Sequence, residues 1–358
     1  MNKNQKNLYI KQRSIVKGAY KTYRKEIQRI SRIARRYSAL STFPIDNNIS
    51  SSGNKSYNHL INIISKIKSP TNFSIRENLV ETIAFCDDVY SAAVNKKQIE
   101  MDFSDVQNIT IDALLYLLAT HHRLMRNNIS FNIRGNTPND KVCNDLFTKT
   151  GFLDYWNNNI EKVTSNDCVR IRHGDLVTTE TIREICLFTQ EKLKVDRMYT
   201  RPLFNVINEL MSNTVDHAYP EQNTVLTDWY LYAEYIQAKN VVNFAFLDIG
   251  EGIPITIQKK FGEKFRHYVG LAHHSLGGDI HGQLIMAALK GFKDTDVVRS
   301  QTGMVYRGKG LPRIFEIYNS EKISDLYILS RRGEFSNMQV SDNNMSLKGT
   351  FISWSIGG

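Results

Sequence analysis

Glu209, Asn213 and His217 recur at intervals of four residues within the segment RPLFNVINELMSNTVDHAYPEQ. Each step of four turns only about 40° around a helix, so a carboxylate, an amide and an imidazole share one stripe. Pro202 suits a first helical turn, and Leu203, Ile207, Leu210 and Thr214 trace another face at helical spacing. A helix this apolar gives little reason to bury an acid and an amide unless they bind something. A solvated helix face would produce the same string.

Downstream, two strand-like stretches, 226–236 and 241–247, lead into FLDIGEGIP, where Asp248 ends a strand and precedes Gly250, Gly252 and Ile253. A carboxylate so placed can accept an exocyclic amine, and the glycines let a ligand approach the backbone. The segment YRGKGLPRIFEIY then sets Gly308, Lys309, Gly310 and Leu311 at the start of an apolar helix, whose first-turn amides can face a phosphate. Near the end, LKGTFISWSI reads as a strand in which Thr350 offers a hydroxyl.

The order ExxxNxxxHA, DxGxGI, GxGL, GT resembles the GHKL (Bergerat-fold) ATPase superfamily, which includes histidine kinases, anti-sigma kinases, DNA gyrase and mismatch-repair ATPases. The resemblance covers about 150 residues, and the domain it implies occupies 166–358. It implies an α/β sandwich, with a mixed, mostly antiparallel sheet and helices on one face, that takes ATP and magnesium. By that resemblance Asn213 is the magnesium ligand, a hard cation preferring oxygen. Glu209 orients or deprotonates the attacking water, or a protein nucleophile in a kinase. Asp248 reads the adenine with Thr350, while Gly250, Gly252, Ile253, Gly308, Gly310 and Leu311 enclose the nucleotide. His217 can approach the phosphates. Lys309 and Arg299 can reach a γ-phosphate, although a solvated basic loop accounts for them equally. Residues 254–307 are long for a connection and are expected to hold an ordered helix and an ATP lid. His273, His274 and His281 fall there without acids or cysteines at ligand spacing, so a lid or loop surface is preferred to a metal site.

The elements that must position these residues begin earlier in the chain. Residues 41–56 are rich in Ser and Asn and read as a linker. From 57 to 165 the pattern alternates: a helix near 74–94, a strand at 98–103, a helix at 110–125, a strand at 129–134 and a helix at 140–149. The stretch Ile99 to Trp156, with IEMDFSDV, IDALLYLLATHHRLM, ISFNIRG and FTKTGFLDYW, resembles a STAS domain, the fold of anti-anti-sigma factors. Phospho-regulated members carry a serine pair where the second helix begins. Here Thr110, Ile111 and Asp112 stand there, which argues against a phosphorylation switch and for a docking or dimerisation module. A further strand at 168–172 and a helix at 178–194 lead into the second half.

The chain of 358 residues is long enough for two domains with their own cores. Cys86, Cys143, Cys168 and Cys186 are far apart and read as reduced core thiols. No apolar run is long enough for a membrane span and no secretory leader is evident, so a cytoplasmic protein without membrane attachment is expected. The net charge of +10 is concentrated in residues 1–40, with twelve Lys or Arg against Glu26 alone. Ile10, Ile15, Tyr20, Tyr23, Ile27, Ile30 and Ile33 recur there at helical intervals. This favours a basic amphipathic helix on the body or on a dimer mate, with nucleic-acid contact as the alternative. Three functions compete: an ATPase whose lid closure switches contacts with a homodimer mate or regulatory protein, a histidine- or serine-type protein kinase, and a nucleic-acid-associated ATPase. The first is favoured, since neither a kinase acceptor on a paired helix nor a nucleic-acid motif is evident. A place in bacterial regulation would suit it.

Overall fold

The computed structural model describes residues 64–95, 98–127, 129, 131–156, 166–216, 228–259, 280–291 and 310–357. The basic arm, most of the expected lid, and His217, His273, His274, Arg299, Gly308 and Lys309 lie outside the described residues.

The first unit is built on parallel strands. β1 (Ile64–Lys68), β3 (Gln98–Asp102) and β5 (Asn132–Gly135) pair in the order β1-β3-β5, and the two-residue strands β2 (Asn72–Phe73) and β4 (Asn108–Ile109) pair beside them. Four helices accompany them: α1 (Leu79–Val94), α2 (Ile111–Arg126), α3 (Lys141–Lys149) and α4 (Phe152–Trp156). α3 starts where Asp140 can cap it, its carboxylate accepting from Cys143 N at 2.9 Å. α2 is buried continuously from Asp112 to His121. A helix apolar on every side must be covered on every side. Its first turn is fixed by Asp112, whose carboxylate accepts from Ile75 N at 3.1 Å, Arg76 N at 3.3 Å and Ala113 N at 2.6 Å, with the Thr110 hydroxyl also donating to it.

The second unit is a five-stranded sheet in the order β6-β7-β8-β10-β9, every pairing antiparallel. Its strands are β6 (Cys168–Gly174), β7 (Trp229–Ile236), β8 (Val241–Asp248), β9 (Ser324–Ser336) and β10 (Gln339–Gly357). Period-two alternation assigns the faces: in β8, Val242, Phe244 and Phe246 point one way and Ala245 and Leu247 the other. The first face is covered by α5 (Thr179–Leu193), α6 (Arg201–Asp216), α7 (His281–Lys290) and α8 (Gly310–Asn319). α6 lays Leu203, Val206, Ile207, Leu210 and Met211 on it, the apolar side read from the spacing.

The second face is also covered, where the sequence suggested helices on one side only. Tyr230, Tyr232, Leu247, Tyr327, Leu329 and Phe351 form one continuous core with α1, α2 and α4 of the first unit. These side chains are too apolar to face water, so the parallel unit closes the sandwich. Arg76 lies 4.7 Å from the Tyr327 ring centroid, and Lys149 pairs with Glu234 across the same junction. All four cysteines are buried and unpaired. Among the described residues no helix is long and apolar enough to cross a membrane.

Candidate functional site

The register of the sheet carries one row of residues across all five strands. Gly174 of β6 pairs with Trp229 of β7, Trp229 with Asp248 of β8, Asp248 with Thr350 of β10, and Thr350 with Ser330 of β9. By parity the row faces α6, as Phe244, Phe246, Ile328 and Ile352 do. Asp248, Thr350 and Ser330 are therefore a polar edge on an otherwise apolar surface. Burial at this position pushes the Asp248 carboxyl up to about 6, opposed by hydrogen bonds from Gly250 and Thr350. Gly250 N donates to Asp248 Oδ1 at 2.8 Å.

Ser330 organises the loop that follows. It is fully buried, its hydroxyl accepting from Ile253 N at 2.9 Å and lying 3.1 Å from the Gly349 carbonyl and 3.0 Å from Thr350 Oγ1. Ile253 opens a helical stretch at 253–259, so a serine in β9, the next strand of the sequence, takes up one of its first-turn amides. Two glycines make this crossing possible. Gly252 has φ +86, and a Cβ there would stand 2.9 Å from Ser330 Oγ. Gly349 has φ +94 beside a register shift in β10, and a Cβ there would overlap the Asp248 carbonyl oxygen. Arg331 Nε donates to the Glu251 carbonyl at 2.6 Å, closing the loop from outside.

The second cluster lies where α6 meets the start of α8. Gly310 sits against both polar residues of α6: a Cβ on it would lie 3.0 Å from Asn213 Nδ2, 3.1 Å from Asn213 Oδ1 and 3.1 Å from Glu209 Oε2. A larger residue here would push the ends of these two side chains aside by a few tenths of an ångström. Arg313, one turn further along α8, donates from Nη1 to Glu209 Oε1 at 3.2 Å. Glu209 and Asn213 are half-buried while Leu203, Ile207, Leu210 and Thr214 on the facing side are buried. Leu311 packs against the α6 core, and Ile253 and Ile257 enter it from the loop after Asp248.

The structure thus brings Glu209, Asn213 and Gly310 together at one corner and Asp248, Gly250, Gly252, Ile253 and Thr350 at another, both on the α6 face of the sheet. His217, Gly308 and Lys309 lie outside the described residues. The donor set suits magnesium, since the Asn213 carbonyl oxygen and the Glu209 carboxylate are adjacent oxygens for a cation that keeps several waters. His281, one of the lid histidines, begins α7, and its Nδ1 accepts from Arg332 N at 3.2 Å, which is a structural role. Among the described residues no group of three His, Cys, Asp or Glu could hold a metal by itself.

Sequence reasoning passed over Ser330 and Arg313. Ser330 carried a signal: in LYILSRR it falls on the phase of Leu326 and Ile328, a polar residue in an inward-facing position. Comparison with known proteins finds no family model that matches this chain and no curated protein that matches it.

Proposed function

We infer that the second half of the chain binds ATP with magnesium on the α6 face of the sheet and hydrolyses it slowly, as a GHKL-type domain. The observation that carries this reading is the polar row Asp248–Thr350–Ser330, set into an apolar face and wrapped by a loop that tolerates only glycine at 252 and 349. A carboxylate that ends a strand beside a hydroxyl offers an acceptor and a donor to the edge of a purine, and the apolar residues around it suit the ring. The Gly310 corner supplies the other half. There α8 begins at Gly310 beside Glu209 and Asn213, and the amides of a helix start can receive phosphate oxygens. Magnesium, when bound, neutralises charge on the phosphates. Asn213 would hold it through its carbonyl oxygen. Glu209 orients a water and takes its proton, with the half-buried carboxylate poised beside the same corner. The first unit, closed onto the opposite face of the sheet, is the STAS-like partner module of this reading.

Turnover by the full chain tests it. With magnesium and ATP, Glu209→Ala is expected to bind nucleotide as the wild type does while phosphate release falls at least a hundredfold, about 3 kcal/mol of barrier. Asn213→Ala is expected to lose binding and turnover together. Equal hydrolysis by Glu209→Ala would sink the assignment of Glu209, and radiolabel appearing on protein instead of free phosphate would replace hydrolysis with kinase chemistry.

A further inference from the structure

Among the described residues, the carboxylate of Glu209 accepts a hydrogen bond from Arg313 at Oε1. Oε1 accepts from Arg313 Nη1 at 3.2 Å, whereas Oε2 is turned toward the backbone of Gly310, beside the amide of Asn213. The guanidinium comes from a different element, 104 residues on in sequence, and Arg313 is half exposed whereas the Glu209 side chain is mostly covered. A glutamate has three rotatable bonds, and one charge-assisted bond from a fixed fork selects among its rotamers. The selected one presents Oε2 to the corner where α8 begins.

We propose that Arg313 is a positioning residue for Glu209: it anchors Oε1 so that Oε2 faces the reacting water beside Asn213 and Gly310. The proposal rests on the nucleotide reading above. Arg313 acts through Glu209 and does not hold the phosphates itself. Arginine suits the task because its charge is permanent and its planar fork fixes direction, which a lysine ammonium does not. The same bond ties the first turn of α8 to the middle of α6, so the phosphate corner and the carboxylate move together.

The experiment uses the full chain as wild type, Arg313→Gln, Arg313→Lys, Glu209→Ala and the Arg313→Gln/Glu209→Ala double variant. Affinity for a fluorescent non-hydrolysable ATP analogue with magnesium is measured beside kcat and KM for phosphate release, with thermal unfolding of each variant. Arg313→Gln is expected to keep analogue Kd and KM within about twofold and to lower kcat about 10- to 100-fold, the scale of a misplaced catalytic group. Arg313→Lys recovers part of the loss. In the Glu209→Ala background Arg313→Gln has no further effect, because the two act as a unit. Unchanged kcat in Arg313→Gln would make the contact an ordinary surface ion pair and overturn the proposal. A tenfold loss of analogue affinity would place the guanidinium on the nucleotide instead, and additive losses in the double variant would separate Arg313 from Glu209. Each overturns it. Wild type that binds the analogue but releases no phosphate overturns the role of Arg313 and leaves nucleotide binding standing. Wild type that binds no analogue overturns the nucleotide reading and this proposal with it.

Discussion

The two faces of the five-stranded sheet both bury polar groups, and they treat them in opposite ways. On the α6 face, Thr350 bonds both Asp248 and Ser330 along a single row, Gly250 N donates to Asp248, and Asp248 is held in an environment that disfavours its charge. On the face closed by the first unit, charged and aromatic groups pack against one another, and both His121 ring nitrogens and Asp228 Oδ2 are buried with no hydrogen-bond partner among the described residues. Asp228, immediately before β7, is fully buried, and its Oδ1 receives Arg126 from α2 while His173 Nε2 lies 3.1 Å away. His173 stacks on Tyr230 at 4.7 Å, and His122 Nδ1 lies 2.9 Å from the Tyr230 hydroxyl. Burial holds the His122 imidazole well below its usual range, helped by the neighbouring His173, His121 and Arg126. The ring of His121, also in α2, is pushed down to about 3 by burial alone and stacks on Trp156. The junction thus buries polar atoms among aromatic rings, some of them without a partner among the described residues, while the α6 face gathers its polar groups into one hydrogen-bonded row. Residues 228–230 serve both, because Asp228 and Tyr230 enter the junction while Trp229 pairs with Asp248 in the row.

The largest stability loss is expected at the junction. Arg126→Ala leaves a fully buried carboxylate without its cation, and breaking such a pair costs about 3 kcal/mol, the lower end because Arg126 itself is partly exposed. Urea unfolding midpoints read this directly, with nucleotide affinity per folded molecule unchanged. A loss under about 0.5 kcal/mol would mean that water serves Asp228 as well as Arg126 does, and the two faces would no longer differ in kind.

A smaller effect of opposite sign is expected on the α6 face. The Asp248 carboxyl, raised to about 6, binds its proton more tightly folded than unfolded. Between the ordinary carboxylate range and 6, stability therefore falls as pH rises, and above 6 the ligand-free protein carries the whole cost. Asp248→Asn removes the charge and keeps an acceptor for Gly250 N. At pH 7.5 it should stabilise the ligand-free chain by about 2 kcal/mol, on the scale of about 1.4 kcal/mol per pKa unit. The gain should fade as pH drops from 6 toward 4. Stabilisation by ATP should disappear in the same variant. A difference that does not change with pH would remove Asp248 titration from the account.

How much of this was legible in the sequence depended on the range of the interaction. The helix carrying Glu209 and Asn213, the Asp248 strand end and the Gly310 helix start are set by spacings of two to four residues, and each element appeared where the local pattern put it, His217 lying outside the described residues. Of the first-unit elements from 98 to 149, β3, α2, β5 and α3 were found within three residues at either end for the same reason, and the two-residue β4 was not. The row Trp229–Asp248–Thr350–Ser330 depends instead on the pairing of four strands and on a register shift near Gly349, which no local period encodes. The covering of the second face was visible in part: WYLYAEYI in β7 is apolar on both alternating phases, the pattern of a strand buried on both sides, but the string does not say by what. Arg313 was illegible because its partner is a hundred residues away.

The finest test pairs two hydroxyl deletions, one on each face. Thr350→Val keeps the volume and loses the hydroxyl that lies 3.0 Å from Ser330 Oγ and bonds Asp248. Ser330 stays satisfied through Ile253 N and the Gly349 carbonyl, so the stability loss should be small, under about 1 kcal/mol. Analogue affinity should fall about fivefold, since the bond that orients the Asp248 carboxylate is gone. Tyr230→Phe removes the hydroxyl 2.9 Å from His122 Nδ1 and leaves a buried imidazole nitrogen without its partner. Its stability loss should exceed that of Thr350→Val, reaching about 1 to 2 kcal/mol, with affinity per folded molecule unchanged. Calorimetric melting with and without analogue separates the two. Were both to lose stability equally and neither affinity, the α6 face would be a second interface, and the polar row a core feature of the sheet.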